Sequence, residues 1–140
     1  MAFSPDGKSL ASGGSDHAIK IWNVADGTVV REYVNPTLKP LPAPPGSAGQ
    51  AQPGWIYSLR FTPDGRYLVS VGNAPRNHGY LAVWNTSDGM LVQGDELAVG
   101  PIYALAVSPD GRRLAFGGGP HGRQSQDVVG YVVRLPEGAK

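Results

Sequence analysis

The sequence predicts an all-β fold made of repeated, antiparallel four-stranded meanders, and three observations carry that prediction. A five-residue phrase occurs three times: Phe3-Ser4-Pro5-Asp6-Gly7, Phe61-Thr62-Pro63-Asp64-Gly65 and Val107-Ser108-Pro109-Asp110-Gly111. Each copy joins two short apolar stretches, and a further stretch that recurs as Ala18-Ile19-Lys20-Ile21-Trp22-Asn23 and Tyr80-Leu81-Ala82-Val83-Trp84-Asn85 has β-branched and aromatic residues at period two, the period of a strand and not of a helix. The 20 glycines and 13 prolines among 140 residues are largely periodic, so they read as turns between many short strands rather than as low-complexity chain.

The elements follow in order, labelled A to D within each unit. The repeated phrase is a hairpin turn between A and B. Proline presets φ, aspartate bonds back to the backbone, and glycine takes the left-handed conformation that closes a bulged turn. Strand B begins with Leu10-Ala11-Ser12-Gly13, Tyr67-Leu68-Val69-Ser70 and Arg113-Leu114-Ala115-Phe116. Strand C is Ala18-Ile19-Lys20-Ile21-Trp22-Asn23, then Tyr80-Leu81-Ala82-Val83-Trp84-Asn85, with a weaker relative over 128–135. A second tight turn follows at Asp26-Gly27, Asp88-Gly89 and Glu137-Gly138, and strand D is expected over 28–34 and 90–99. The first unit starts inside its strand A and the third stops after strand C, so eleven strands are expected. The units are assigned to 1–34, 55–99 and 100–140. Between the first two, 35–54 is rich in proline and glycine and reads as an exposed extended loop, with a domain linker as the competing reading.

Composition removes several functions. Twelve basic against eleven acidic side chains leave a net charge of +1, too little surplus for a nucleic acid or an anionic membrane to be the default partner. The absence of cysteine excludes disulfides, thiol nucleophiles and Cys-ligated metal centres. No apolar stretch approaches the roughly 20 residues of a membrane-spanning helix. The start lacks the basic and apolar regions of a secretory signal, so the expectation is either a cytoplasmic protein or a sequence whose true beginning is missing.

The order Ser-Pro-Asp-Gly, Leu-Ala-Ser-Gly-Gly, an aspartate six residues before a tryptophan, and Ile-Lys-Ile-Trp-Asn over residues 3–27 resembles the WD-repeat β-propeller family. Asn23 stands where the family's second signature letter is usually aspartate. The prolines of the turns lie 58 and 46 residues apart, the second interval close to a propeller-blade period of about 40–45. The resemblance implies three blades of a propeller that commonly needs about four to eight to close. The chain is therefore expected either to be a fragment of a longer protein or to associate with copies of itself to complete a ring.

The resemblance also implies a buried His, Ser/Thr, Asp, Trp network in each blade. Ser12, Asp16 and Trp22 match it in the first unit, and Ser70 and Trp84 in the second. There Gln52 occupies the histidine place and His78 the aspartate place, and in the third unit Phe116 stands at the serine place with no tryptophan. A carboxylate inside a sheet stack has to be fully paired, so Asp16 is expected to be buried and bonded.

Chemistry has few candidate seats. In a four-strand meander the BC and DA connections leave by one edge and the AB and CD turns by the other. Three insertions, 35–54, 72–79 and 117–128, all fall on the BC/DA side, the usual place for recognition on a rigid scaffold. Candidate partner-binding residues there are Trp55, Arg76, His78, His121, Arg123 and Gln124. Trp55 reads either as a binding anchor or as packing beneath the proline-rich loop, which itself reads as a polyproline ligand or a stiff spacer. His17, His78 and His121 form a metal or catalytic cluster only if they converge on one point, and no pair has ligand spacing. No Gly-x-Ser-x-Gly, phosphate-binding loop or dinucleotide fingerprint occurs. The expectation is a non-catalytic, cofactor-free scaffold that binds proteins. Its competitors are a propeller hydrolysing or binding a ligand through the BC histidines, and a sensory region fused to a catalytic domain, an arrangement frequent among bacterial members of the family.

Overall fold

A computed structural model describes residues 1–35, 51–98, 100–118 and 129–134. These contain β1 (Ala2–Phe3), β2 (Ser9–Gly13), β3 (Ile19–Asn23), β4 (Val29–Tyr33), β5 (Ile56–Phe61), β6 (Tyr67–Ala74), β7 (His78–Asn85), β8 (Leu91–Leu97), β9 (Ile102–Val107), β10 (Arg113–Gly118) and β11 (Val129–Arg134). Strands β1 to β4 form one antiparallel meander, β5 to β8 a second and β9 to β11 a third.

Alternation decides how the sheets stack. In β3, Ile19 and Ile21 point to one face while Lys20 and Trp22 point to the other, as the pleat requires. The isoleucine face, with Ala11 and Tyr33, is buried against Leu59, Leu68, Tyr80, Ala82 and Trp84 of the second sheet. The opposite face of the second sheet, with Tyr67, Val69, Val71, Leu81 and Val83, is buried against Ile102, Leu105, Leu114 and Phe116 of the third. Being covered on both sides explains why β6 and β7 carry near-continuous apolar runs where β3 alternates. The first strands of the three sheets converge, β5 lying against β1 and β9. The sheets therefore fan outward from their A strands as blades of an incomplete β-propeller.

The repeated phrase builds the same turn three times. In the second copy the Gly65 amide donates to the Thr62 carbonyl at 2.9 Å, and Asp64 Oδ1 accepts from Thr62 Oγ1 at 2.6 Å and from the Arg66 amide at 3.0 Å. Gly7, Gly65 and Gly111 all have φ of 70–73°, a region that only glycine enters without strain. The hydroxyl of Ser4, Thr62 or Ser108 also accepts the amide five residues on. Asn23 and Asn85 take the signature aspartate's place because each side-chain oxygen accepts the amide two residues later and so starts the CD turn. The AB and CD turns sit together: the Val24 amide bonds the Lys8 carbonyl and the Thr86 amide bonds the Arg66 carbonyl.

Two expectations need correction. Residues 72–79 are not an inserted loop. Pairing continues through Gly72↔Tyr80, Asn73↔Gly79 and Ala74↔His78, and the chain reverses in the three residues Pro75–Asn77, where Arg76 and Asn77 both have positive φ, as a tight hairpin loop requires. The described ends of the 35–54 stretch are buried, not exposed: Asn35, Ala51 and Gln52 are all inaccessible to solvent. Asn35 Nδ2 donates to Tyr80 Oη at 3.0 Å, and the Ala51 amide donates to the His17 carbonyl at 2.8 Å. The proline run at 36–45 and the 119–128 connection lie outside the described residues.

Candidate partner-binding face

The entry to the second blade gathers the side chains that define this face. Trp55 immediately precedes β5 and is held by its backbone. Its amide donates to Asn73 Oδ1 at 2.6 Å, and its carbonyl accepts the Asn73 amide at 3.1 Å. Gly72 permits this approach, because a Cβ there would collide with the Trp55 carbonyl oxygen. Gly118 bears the same relation to the Pro101 carbonyl in the third blade. The indole of Trp55 remains 50% exposed. It meets the edge of Tyr57 with ring centres 6.4 Å apart, and Tyr57 packs on Tyr103 of the next blade at 4.9 Å. Three aromatic rings thus form a continuous, partly open ladder across two blades, on strands that lie next to one another.

A polar cluster lies at the turn of the β6–β7 hairpin, next to Asn73. His78 Nδ1 is 2.7 Å from Glu96 Oε1, and Arg76 Nη2 is 3.6 Å from the same oxygen. The pairing Tyr80↔Glu96 brings the end of β8 beside the start of β7. Glu96 escaped the sequence reading because nothing in its local pattern marks it. Only the strand register brings it to His78. The stacking of Tyr57 on Tyr103 likewise depends on β5 and β9 being neighbours.

The remaining expected site residues are distributed as follows. Trp22 Nε1 donates to Ser12 Oγ at 2.9 Å and Trp84 Nε1 to Ser70 Oγ at 3.0 Å. Asp16 is not buried with the first pair. It is exposed, and its Oδ1 accepts the Ala18 amide at 3.2 Å, closing the turn between β2 and β3. The reason is geometric, since a short turn outside the sheets keeps the carboxylate in water at no desolvation cost. Gln52, at the histidine place, is fully buried, with neither amide atom hydrogen-bonded. His78, at the aspartate place, turns to Glu96 instead. In the third blade Val133 pairs with Leu114 where the other blades pair tryptophan with leucine. His17 sits in the turn between β2 and β3 with φ of 63° and a buried Nδ1 that has no hydrogen-bond partner. His121, Arg123 and Gln124 lie outside the described residues. Among the described residues no group of three His, Asp or Glu side chains is arranged to hold a metal ion, and no helix is long and apolar enough to cross a membrane.

The family model for the WD domain, G-beta repeat, matches residues 1–23 and 48–85. The chain belongs to the WD-repeat family. Among its relatives, apoptotic protease-activating factor 1 of Rattus norvegicus is 35% identical over 79% of this chain. The WD repeat-containing protein 26 homolog of Drosophila melanogaster is 33% identical over 99% of the chain, and the protein groucho of the same organism is 31% identical over 81%. The chain spans only 8%, 20% and 13% of these relatives' own lengths. All three come from animals, so they lend no support to a bacterial type of WD-repeat architecture. As a class, WD-repeat proteins are generally non-catalytic scaffolds for protein interaction.

Proposed function

We propose that this WD-repeat chain is a non-catalytic protein-interaction module whose contact surface is the BC/DA face, with the Trp55, Tyr57 and Tyr103 ladder at its centre and Arg76, His78 and Glu96 at its edge. The observation that carries the reading is the exposed Trp55 indole, anchored by two backbone hydrogen bonds and backed by two tyrosines. A rigid aromatic beside charged groups matches the composition of binding hot spots, where a few large side chains carry most of the affinity. The partner is accordingly a protein segment with an apolar residue to lie on the rings and a charged group to meet Arg76 or Glu96.

The test uses Trp55→Ala and Tyr103→Ala, with Arg112→Ala in the opposite-face turn as the control. Proteins captured by the wild-type chain and by Arg112→Ala are expected to be lost from both aromatic variants. Equal capture by all four chains would overturn the assignment of the face.

A further inference from the structure

Two bulges at the same register aim the tyrosines of the ladder. In β5 the pairing passes from Ile56↔Gly72 to Ser58↔Val71, and in β9 from Ile102↔Gly118 to Ala104↔Gly117. Tyr57 and Tyr103 are thus each the extra residue of their strand. A bulge re-aims one side chain out of the regular pleat, and bulges are over-represented beside functional sites. Here the two re-aimed rings meet across the blade boundary, with Tyr103 still 40% exposed.

A lone cation stands farther along the same strand. Arg60 is exposed and is the only charged residue in the converging first strands β1, β5 and β9. Register gives Ala2 and Ala106 as its equivalents in the flanking blades. Of the five guanidinium N–H donors, one on Nη1 bonds the Leu59 carbonyl at 3.0 Å. Among the described residues no carboxylate pairs with Arg60. Three steps of extended strand, about 10 Å, separate it from Tyr57. The second blade has a sheet packed on each of its faces, so the exposure of Arg60 does not depend on what adjoins either end of the chain.

We propose that the Tyr57–Tyr103 stack and Arg60 together read an extended acidic segment of a partner protein. An apolar side chain lies on the rings, and an Asp or Glu about three residues along meets the guanidinium. This rests on the aromatic ladder being the contact surface and adds the partner chemistry that the surface selects. A guanidinium matches a carboxylate through two parallel hydrogen bonds, and no carboxylate of the described inner strands competes for it. The ligand is a carboxylate and not a phosphate, because phosphate recognition gathers clusters of arginines and Arg60 has no second cation on these strands.

Random dodecapeptides displayed on phage and selected on the 140-residue chain are expected to enrich a large apolar residue with Asp or Glu about three positions away. Selection on Arg60→Glu should exchange that acid for Lys or Arg, a swap that a purely structural role for Arg60 would not produce. With the most enriched peptide made synthetically, replacing its acid by the amide and Arg60→Gln in the chain should each weaken binding at least fivefold, and the two together no further. Enrichment that needs Trp55 but shows no acidic preference, or the same preference on Arg60→Glu, would overturn this inference and leave the contact face standing. Peptides that bind Trp55→Ala as tightly as the wild-type chain would remove the face itself. No enrichment on the wild-type chain, or tighter binding when phosphoserine replaces the acid, would also overturn the carboxylate assignment.

Discussion

At the scale of single residues, the two Trp–Ser pairs share one chemistry in different surroundings. Ser70 and Trp84 are fully buried, so Ser70→Ala leaves an indole N–H with no partner and should destabilise the chain by about 1–3 kcal/mol. Ser12→Ala should cost less, because Trp22 is half-buried and water can replace the hydroxyl. Urea midpoints of the two variants test this, and equal shifts would contradict the burial difference. The turn aspartates define acid behaviour. Hydroxyl hydrogen bonds from Ser4, Thr28, Thr62 and Ser108, then backbone amides, hold Asp6, Asp26, Asp64 and Asp110 below the usual carboxylate range. Their contribution is complete above the unfolded value near 3.8 and is lost as pH falls below it through the depressed folded values. Stability should therefore be flat from pH 7 to 5 and decline below about pH 4, with a smaller decline in Asp64→Asn.

Among the elements, the strand B glycines separate local from tertiary demands. Gly14, Gly72 and Gly118 are equivalent positions, yet a Cβ at Gly72 or Gly118 would strike the carbonyl oxygen of Trp55 or Pro101 and one at Gly14 would meet nothing. Gly72→Ala should lower stability by about 1–3 kcal/mol through overpacking, and Gly14→Ala should be close to neutral. Thermal unfolding of the pair is the measurement, and a tolerant Gly72 would mean that the Trp55 backbone is free to move. The strands themselves were legible from the three Pro-Asp-Gly phrases and the Ile-Lys-Ile-Trp alternation, because period and turn chemistry are local. The 72–79 hairpin was not legible. Its Gly-Asn-Ala-Pro composition resembles a loop, and only the continued ladder with β7 makes it a strand extension.

For the molecule as a whole, the blade interfaces set the alkaline limit. Burial raises the phenol of Tyr33, which stacks on Trp84 at 5.4 Å, and that of Tyr80, whose hydroxyl accepts from Asn35. The neutral phenols are favoured in the fold, so their stabilisation is complete below the unfolded value near 10 and is lost as pH rises through the raised folded values. Unfolding followed by circular dichroism should begin above about pH 10, and Tyr33→Phe should reduce the loss. A profile unchanged by that substitution would place the alkaline transition elsewhere.

Turn residues and strand period act over a few positions, and from them alone the sequence determined three all-β units of antiparallel strands joined by tight turns. Trp22 and Trp84 illustrate what lay beyond it. They stand in near-identical local sequences, but one is half-buried on an outer sheet and the other sealed between two. Asp16 likewise matched a motif and yet stayed in water, while Glu96 and the Tyr57–Tyr103 stack had no motif at all. Those outcomes depend on which sheet lies against which, a relation between residues tens of positions apart that only packing of the blades decides.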